Sequence, residues 1–349
     1  MERWLSSERN VRICAVLGAV AIAFSSILVR LSHASPSTAA IFRCVYALPI
    51  LGLLAWLEDR RYGGRSWRER RVAVAGGVFF AADLIMWHHS IGDVGAGLAT
   101  VLANVQVVLV PLVAWAVLSE HPGRRVLAAL PLASLGVLLI SGALEHGAYG
   151  RDPGRGALFG LGAGVAYVGF LLLLRRGGAS DVRRPAGPLF DATFTAAVLC
   201  VVAGLVIGDA DLVPHWPGAG WLITLALTSQ VLGWLLISVS LPRLPAALTS
   251  LLLTVQPLGS VALGALIFAE APSGFQLLGV AFILAGLLTV NMPAARTWPK
   301  KRNIHALSRP GPAGEAQAIA GTAGSRSSAA RMSASENSGS SSWPARKAS

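Results

Sequence analysis

Charged side chains are scarce in this chain. Asp, Glu, Lys and Arg make up 13% of its 349 residues, against about 25% in a soluble domain. Hydrophobic residues make up 54%, and the mean hydropathy is +0.61. This composition excludes an ordinary soluble domain and predicts a protein that is embedded in a lipid bilayer.

Motifs for nucleotide, metal or disulfide chemistry are also missing. The sequence contains no GxxxxGK[ST] phosphate-binding loop and no HExxH zinc motif. Its three cysteines, Cys14, Cys44 and Cys200, lie in hydrophobic stretches, which is typical of buried side chains and not of a disulfide framework. We therefore expect no cofactor, no metal site, no direct use of ATP and no enzymatic activity.

Hydrophobic stretches of about 20 residues, each long enough to cross a bilayer, fill most of the chain. They predict an all-α membrane protein with ten transmembrane helices. The first stretch is followed by Ser32-His33-Ala34, which resembles a signal-peptide cleavage site, but its long apolar core and terminal Arg30 favour a transmembrane helix. The ten stretches are Arg12–Leu31, Pro36–Leu57, Val72–Ile91, Val94–Leu118, Val126–Leu144, Ala157–Leu174, Pro188–Ile207, Trp221–Leu241, Ala246–Ala269 and Gly274–Met292.

One of these stretches occurs as an internal sequence repeat. Val94–Glu120 aligns without a gap on Leu244–Glu270, which places Gln106 on Gln256 and one closing glutamate on the other. A membrane core that occurs twice in one chain is typical of transporters, in which a cavity forms between two halves.

The two halves are predicted to be 12–144 and 157–292. Because each half has five helices, an odd number, the second must run antiparallel to the first. We therefore expect two inverted five-helix repeats with a substrate site near the midplane. After Met292 the chain is dominated by Ser, Ala, Gly and Pro, and we predict that 293–349 is a disordered cytoplasmic tail.

The formal net charge of +12 follows the predicted topology and does not indicate a nucleic-acid partner. With a cytoplasmic N-terminus, the outer connections contain only Arg151 and Arg155, and Arg30 lies at an outer helix end. This positive-inside bias predicts a multi-pass protein of the cell (inner) membrane with both termini cytoplasmic. The arginines predicted on the inner side are Arg3, Arg9, Arg12, Arg60, Arg61, Arg65, Arg68, Arg70, Arg71, Arg124, Arg125, Arg175, Arg176, Arg183, Arg184 and Arg243.

Two charged residues, Arg43 and Asp83, lie inside predicted helices two and three at similar distances from the outer ends. An ion pair between them is geometrically available. Two interpretations stay open. The pair fixes helix two against helix three, or Arg43 holds an anionic substrate group while Asp83 titrates as a coupling site for protons.

Other polar and aromatic side chains complete the candidate substrate site. Small residues such as Thr100 often only let neighbouring helices pack closely, whereas larger amides near the midplane favour a cavity lining. Trp87 and His88 fit either an interfacial aromatic belt or a cavity mouth, and Tyr167 fits either a lining or a packing role. The remaining candidates are Asn104, Gln106, Gln230, Trp234 and Gln256.

Three acidic residues near helix ends have simpler interpretations. Glu120 and Glu270 each precede a proline by two residues, and we interpret them as structural residues that cap short hairpins. Asp191, near the start of predicted helix seven, either reaches the cytoplasmic surface or acts as a second titratable site.

Four runs of sequence carry a resemblance to a known family. They are Phe24–Arg30, Pro36–Arg43, Ala96–Glu120 with Pro122, and Ala246–Glu270 with Pro272. Through them the chain from Arg12 to Met292 resembles the EamA-type ten-helix family of the drug/metabolite transporter (DMT) superfamily. The resemblance implies two five-helix repeats and a substrate among amino acids, nucleotide-like metabolites, sugars and drugs.

Together these features predict a secondary-active transporter that exports a small amphipathic metabolite, amino-acid-like or drug-like, by alternating access. Uptake or exchange by the same fold stays open, because a symmetric transporter runs in the direction that its gradients dictate. A membrane-embedded enzyme and a non-transporting scaffold are the other classes, and no residue pattern favours either. The expected partners are a small-molecule substrate and the lipid bilayer, with protons as the candidate coupling ion and a homodimer as the candidate assembly.

Overall fold

A computed structural model describes residues 8–118, 123–176, 184–240 and 246–291. Within these ranges all regular structure is helical. Glu120 and the predicted tail, 293–349, lie outside the described residues. The helices are α1 (Glu8–Ala23), α2 (Ser25–Leu31), α3 (Pro36–Tyr62), α4 (Trp67–Val94), α5 (Ala96–Ala103), α6 (Gln106–Leu118), α7 (Arg124–Ile140), α8 (Pro153–Arg176), α9 (Ala186–Ile207), α10 (Gly218–Leu225), a π-helix (Ala226–Gly233), α11 (Trp234–Ser240), α12 (Ala246–Phe268) and α13 (Gly274–Asn291).

Each of the ten predicted hydrophobic stretches contains one or more of these helices. Six helical segments of the described ranges are long and apolar enough to cross a membrane, and three shorter apolar helices accompany them. A crossing at all ten stretches stays a prediction. The six segments are Arg9–Leu31, Pro36–Tyr62, Trp67–Val94, Pro153–Leu173, Ala186–Ile207 and Gly218–Ser240, and the shorter helices are Ala96–Leu109, Val255–Phe268 and Gly274–Val290.

The start of α4 is set by capping residues and not by hydropathy. The third stretch was expected to begin at Val72, but α4 begins at Trp67 because Ser66 and Glu69 form a capping box. The Ser66 N–H donates to Glu69 Oε2 at 2.8 Å, and the Glu69 N–H donates to Ser66 Oγ at 3.3 Å. Hydropathy marks the apolar part of a helix, whereas the cap lies in the polar region beyond it.

The fourth predicted stretch, Val94–Leu118, is not one helix as expected. Val94 still belongs to α4, and α5 begins after Gly95, whose φ of +89° is a backbone conformation that glycine adopts without strain. The stretch breaks again between α5 and α6, where the Val107 N–H donates to Asn104 O at 3.1 Å. The break is a tight turn of the 3₁₀ type, and it places the end of one short helix and the start of another inside the protein.

Helices of the first half pack against helices of the second half. Extensive packing joins α3 with α9, α5 with α12, α7 with α13, and α4 with α8. In the numbering of the predicted helices, the first three pairs join the second helix to the seventh, the fourth to the ninth and the fifth to the tenth. In these three pairs, each helix therefore packs against its own counterpart in the other half.

Candidate functional site

A cavity of about 420 Å³ is lined by residues from both halves of the chain. Eight of the ten predicted substrate-site residues line it, and Thr100, for which helix packing was one interpretation, also lines it. Gln230 and His88 are the two predicted residues that do not. The eight are Arg43, Asp83, Trp87, Asn104, Gln106, Tyr167, Trp234 and Gln256.

Arg43 is the cationic group of this cavity. The residue is buried, its Nε donates to Gln230 Oε1 at 3.0 Å, and its Nη1 donates to Ser25 Oγ at 3.2 Å. The guanidinium carbon lies 5.6 Å from the centre of the Trp87 ring, within the range of a cation–π contact. Among the described residues, no hydrogen bond engages Nη2, so two donor positions of the fork are open to a ligand in the cavity.

Gln230 does not line the cavity, but it binds Arg43, which does. Its side chain is fully buried in the π-helix. Its Oε1 accepts the hydrogen bond from Arg43, and its Nε2 donates to Thr193 Oγ1 at 3.2 Å. The amide therefore links the π-helix to α9 and orients the guanidinium. π-Helical turns are rare in proteins, and those that occur are often found at functional sites.

Arg43 and Asp83 do not form the ion pair that their depths along predicted helices two and three allowed. Asp83 is 8% exposed and lines the cavity, but no salt bridge within 4.0 Å and no hydrogen bond engages its carboxylate among the described residues. The neutral oxygens of Gln230 and Ser25 accept from Arg43 instead. The cavity thus contains one cationic and one acidic side chain that are not neutralised by direct contact with each other.

Phe80, Tyr167 and Trp234 form an aromatic wall of the cavity, and Phe170, which does not line the cavity, packs against Trp234. The Trp234 ring lies 5.6 Å from Phe170, 5.9 Å from Tyr167 and 6.1 Å from Phe80, measured between ring centres. These distances are typical of edge-to-face and tilted aromatic pairs, which restrict each other's rotation. The wall offers a rigid surface on which an apolar or planar part of a ligand can lie.

The break between α5 and α6 supplies the amide groups. Asn104 ends α5, and its Nδ2 donates to Thr100 O at 2.7 Å, which leaves its Oδ1 as an acceptor. Gln106 opens α6, and its repeat counterpart Gln256 lies on α12. The equivalence of the two glutamines in sequence therefore becomes a shared cavity lining in the structure.

His88 belongs to a different cavity. It lines a space of about 540 Å³ together with Arg30, Asp93 and Arg151. Its Nδ1 lies 2.6 Å from Leu84 O, and a carbonyl only accepts, so this nitrogen carries the proton. Its neighbour Trp87 lines the 420 Å³ cavity instead, because adjacent residues of a helix point about 100° apart.

Glu270 is a capping residue, but it caps a helix other than the expected one. Its buried carboxylate accepts from the N–H groups of Ala96 at 2.8 Å and Gly97 at 3.1 Å, at the N-terminus of α5. Arg30 donates to the same carboxylate and forms a salt bridge with it. The carboxylate therefore joins α2, α5 and the chain that follows α12.

Three glycines, Gly95, Gly97 and Gly264, make room for this carboxylate. A methyl group on Gly95 would lie 2.8 Å from Glu270 Oε1, and one on Gly97 would lie 3.3 Å from Oε2. At the aligned positions of the second half the sequence has Pro245 and Ala247. The second half therefore does not repeat Gly95 and Gly97.

Asp191 forms a salt bridge with Arg65. Its Oδ2 lies 2.5 Å from Arg65 Nη1, and the Arg65 side chain is buried. This contact joins α9 to the loop between α3 and α4. Sequence reasoning gave no sign of this partner, because the two residues are far apart in the chain.

Two polar residues that contribute to these sites, Ser25 and Asp93, were not among the predicted ones. Ser25, at the break between α1 and α2, holds Arg43. Asp93, at the end of α4, is buried and binds Arg151 and Arg155 at 2.8 Å and 2.6 Å. A break in a predicted helix has no signal in hydropathy, so Ser25 could not have been singled out. Asp93 could have been, as a carboxylate at the end of an apolar stretch.

Comparison with known proteins identifies the family. The EamA-like transporter family matches the sequence twice, over residues 11–142 and again over residues 154–292. The chain belongs to the EamA-like transporter family. Membership makes it a membrane transporter of the drug/metabolite transporter superfamily, as its resemblance implied.

A solved structure supports the fold of this EamA-like transporter. The structure, titled "Crystal structure of protein", is 15% identical in sequence with a TM-score of 0.55, and the match covers 83% of this chain and 100% of the other. At this identity the likeness shows the fold alone. No curated protein matches the chain.

Proposed function

We propose that this EamA-like protein is a secondary-active transporter that exports a small amphipathic metabolite through the 420 Å³ cavity. One observation carries the proposal. Arg43 and Asp83 line the same cavity without forming an ion pair with each other, so both are available to a ligand that has an anionic and a cationic or protonated part.

The lining defines the chemistry of the ligand. The open donors of Arg43 suit a carboxylate, which the guanidinium can bind through two hydrogen bonds. The ring wall around Trp234 suits an apolar or planar side chain, and the amides of Asn104, Gln106 and Gln256 suit neutral polar groups. The volume lies within the range of about 300–1,000 Å³ that small-molecule sites occupy. An amino-acid-like or drug-like substrate fits this combination.

The packing of the two halves supports alternating access. Helices of one half pack against their own counterparts in the other half, which is the arrangement that related repeats produce. We propose ten membrane crossings in two inverted repeats, 12–144 and 157–292, with both termini in the cytoplasm. Rocking of one half against the other would open the cavity to each side in turn.

The topology can be tested by labelling single introduced cysteines in intact cells. The native cysteines, Cys14, Cys44 and Cys200, are buried and leave a low background. We expect a membrane-impermeant maleimide to label the outer position Asp152→Cys and not the inner position Gly64→Cys, both of which are exposed. Equal labelling of both positions, or the reverse pattern, would reject the proposed orientation.

The substrate can be sought by comparing metabolites inside and outside cells that express the wild type, Arg43→Ala, or no transporter. Export predicts a compound that accumulates outside only with the wild type. Accumulation inside would instead favour uptake by the same cavity. Loss of the effect in Arg43→Ala, at equal abundance in the membrane, would assign the ligand to the cavity.

Proton coupling is proposed to use Asp83, because it is an acidic side chain in the cavity without an ionic partner among the described residues. We predict that Asp83→Asn abolishes the pH dependence of transport and leaves the protein folded, since no described contact depends on its charge. Transport by purified protein in liposomes under an imposed pH gradient measures this. An unchanged pH dependence in Asp83→Asn would exclude Asp83 as the coupling site.

A further inference from the structure

The loop between α3 and α4, with the adjoining helix ends, is rich in arginine, and the structure divides these arginines into two groups. One group is tied into a network of ion pairs, and the other faces outward. Arg65 and Arg70 form the first group, and Arg60, Arg61, Arg68 and Arg71 form the second. The difference between the groups identifies a surface that the transport cavity does not explain.

The paired group uses acidic side chains at this end of the protein, apart from Glu69, whose carboxylate accepts from Ser66 at the start of α4. Asp59 binds Arg70 at 3.1 Å and Arg184 at 2.7 Å, while Asp191 binds Arg65. Glu58 accepts instead from the backbone N–H groups of residues 186 and 187 at 3.0 Å and 2.9 Å, at the N-terminus of α9. The network holds the loop against α9 and engages all three of these carboxylates.

The outward group is exposed and has no ionic partner within the described part of the chain. Arg60, Arg61, Arg68 and Arg71 are all exposed. Arg60 lies over the ring of Trp56 with 3.8 Å between the guanidinium carbon and the ring centre. Arg61 lies 5.5 Å from the centre of the Tyr62 ring. Four positive charges are therefore concentrated on one hairpin, and aromatic rings restrain two of them.

Two exposed tryptophans flank these arginines. Trp56 is 47% exposed and Trp67 is 73% exposed, although tryptophan side chains are usually well buried. Exposed tryptophans of membrane proteins are enriched at the level of the lipid headgroups, where one part of the ring is in contact with hydrocarbon. Their position indicates that the hairpin lies at the membrane surface.

We propose that Arg60, Arg61, Arg68 and Arg71, with Trp56 and Trp67, form a binding surface for anionic phospholipid. The guanidinium groups bind the phosphate diesters and the headgroup charge, and the indole rings lie against the adjoining glycerol and acyl region. A lipid is favoured over a soluble phosphate because the aromatic residues add an apolar contact that a free anion cannot use. The predicted cytoplasmic position of the hairpin agrees with this, because anionic lipids are abundant in that leaflet.

The test measures the thermal unfolding of the purified full-length protein in detergent with added lipid. Dioleoyl phosphatidylglycerol is the probe, dioleoyl phosphatidylcholine is the zwitterionic comparison, and inorganic phosphate is the soluble anion. For the wild type we expect a higher Tm with phosphatidylglycerol than with phosphatidylcholine, and no effect of phosphate at the same concentration. A Tm shift with inorganic phosphate equal to that with phosphatidylglycerol would overturn the assignment to lipid.

Variants then locate the effect. In R60Q/R61Q/R68Q/R71Q we expect the Tm difference between the two lipids to fall by at least half. The charge-matched control K300Q/K301Q/R302Q/R309Q, in the C-terminal segment, should keep the difference. Should the fourfold variant fail to fold, the pairs R60Q/R61Q and R68Q/R71Q provide the same comparison. The proposal is overturned if the hairpin variants keep the full difference, or if the control loses as much as they do.

Discussion

The contact between Glu270 and the start of α5 makes a strong prediction about stability. Replacing Glu270 by Ala removes an acceptor for two backbone N–H groups, at 2.8 Å and 3.1 Å, and leaves Arg30 without its carboxylate. Loss of a helix N-cap costs about 1 kcal/mol, and a hydrogen bond to a charged group contributes about 1.5–3 kcal/mol.

The ion pair with Arg30 adds less than the backbone contacts. The Arg30 side chain is 32% exposed, so water screens the pair, and we take its contribution from surface pairs as about 0–1 kcal/mol. We therefore expect Glu270→Ala to lower the free energy of unfolding by about 3 kcal/mol. Glu270→Gln keeps one acceptor oxygen and should cost about half as much, and Arg30→Met should cost about 1 kcal/mol.

Equilibrium unfolding of the purified variants in mixed micelles measures this order. Asp211→Asn is the control, because Asp211 is exposed and asparagine can keep its bond to the Val213 N–H. Its contact with His215 is exposed on both sides and contributes little to stability. The control should change the free energy of unfolding by less than about 0.5 kcal/mol. If Glu270→Ala is no more destabilising than Asp211→Asn, the carboxylate does not cap α5 and the reasoning fails.

Two further predictions concern packing and the cavity. Gly136→Ala should lower the free energy of unfolding by about 1–3 kcal/mol, because its methyl group would lie 2.6 Å from Ile283 Cγ1 and 2.7 Å from Gly279 O. Gly64→Ala is the matched control in the same unfolding assay, because its methyl group would have no atom within 4 Å. Equal stabilities of the two variants would contradict the close approach of α7 and α13. Gln230→Leu should weaken the apparent affinity for substrate about tenfold at normal abundance, because Arg43 loses the neutral acceptor that orients it. Thr193→Val removes only the partner of Gln230 Nε2 and should retain most of the affinity; in a liposome transport assay, equal losses in both variants would show that orientation of Arg43 is not the cause.

The residues of the cavity were largely predictable because polar groups inside a membrane are costly. A side chain such as Asn104 or Gln256 within an apolar stretch needs a reason to be there, and both line the cavity. The depth of Arg43 and Asp83 along their helices was informative in the same way. Depth does not specify which neighbouring atoms compete for a guanidinium, and for that reason it could not show that the ion pair does not form.

Contacts between distant segments could not be predicted from local pattern. Glu270 follows α12 in sequence but caps α5, and Gln230 orients a residue on another helix. Neither contact has a periodicity or a spacing that marks it. The cavity that His88 lines was equally unpredictable, because its neighbour Trp87 lines the 420 Å³ cavity while His88 lines another.

The amino-acid sequence by itself determined the membrane class, the repeated core and the family, because hydrophobic length, charge distribution and aligned residues are properties of the chain alone. The tertiary structure decided where helices break, which acceptors hold Arg43, and which helix Glu270 caps. These depend on the rotation and close approach of helices that are far apart in sequence. Packing and hydrogen bonding between such helices set them, and hydropathy does not record either.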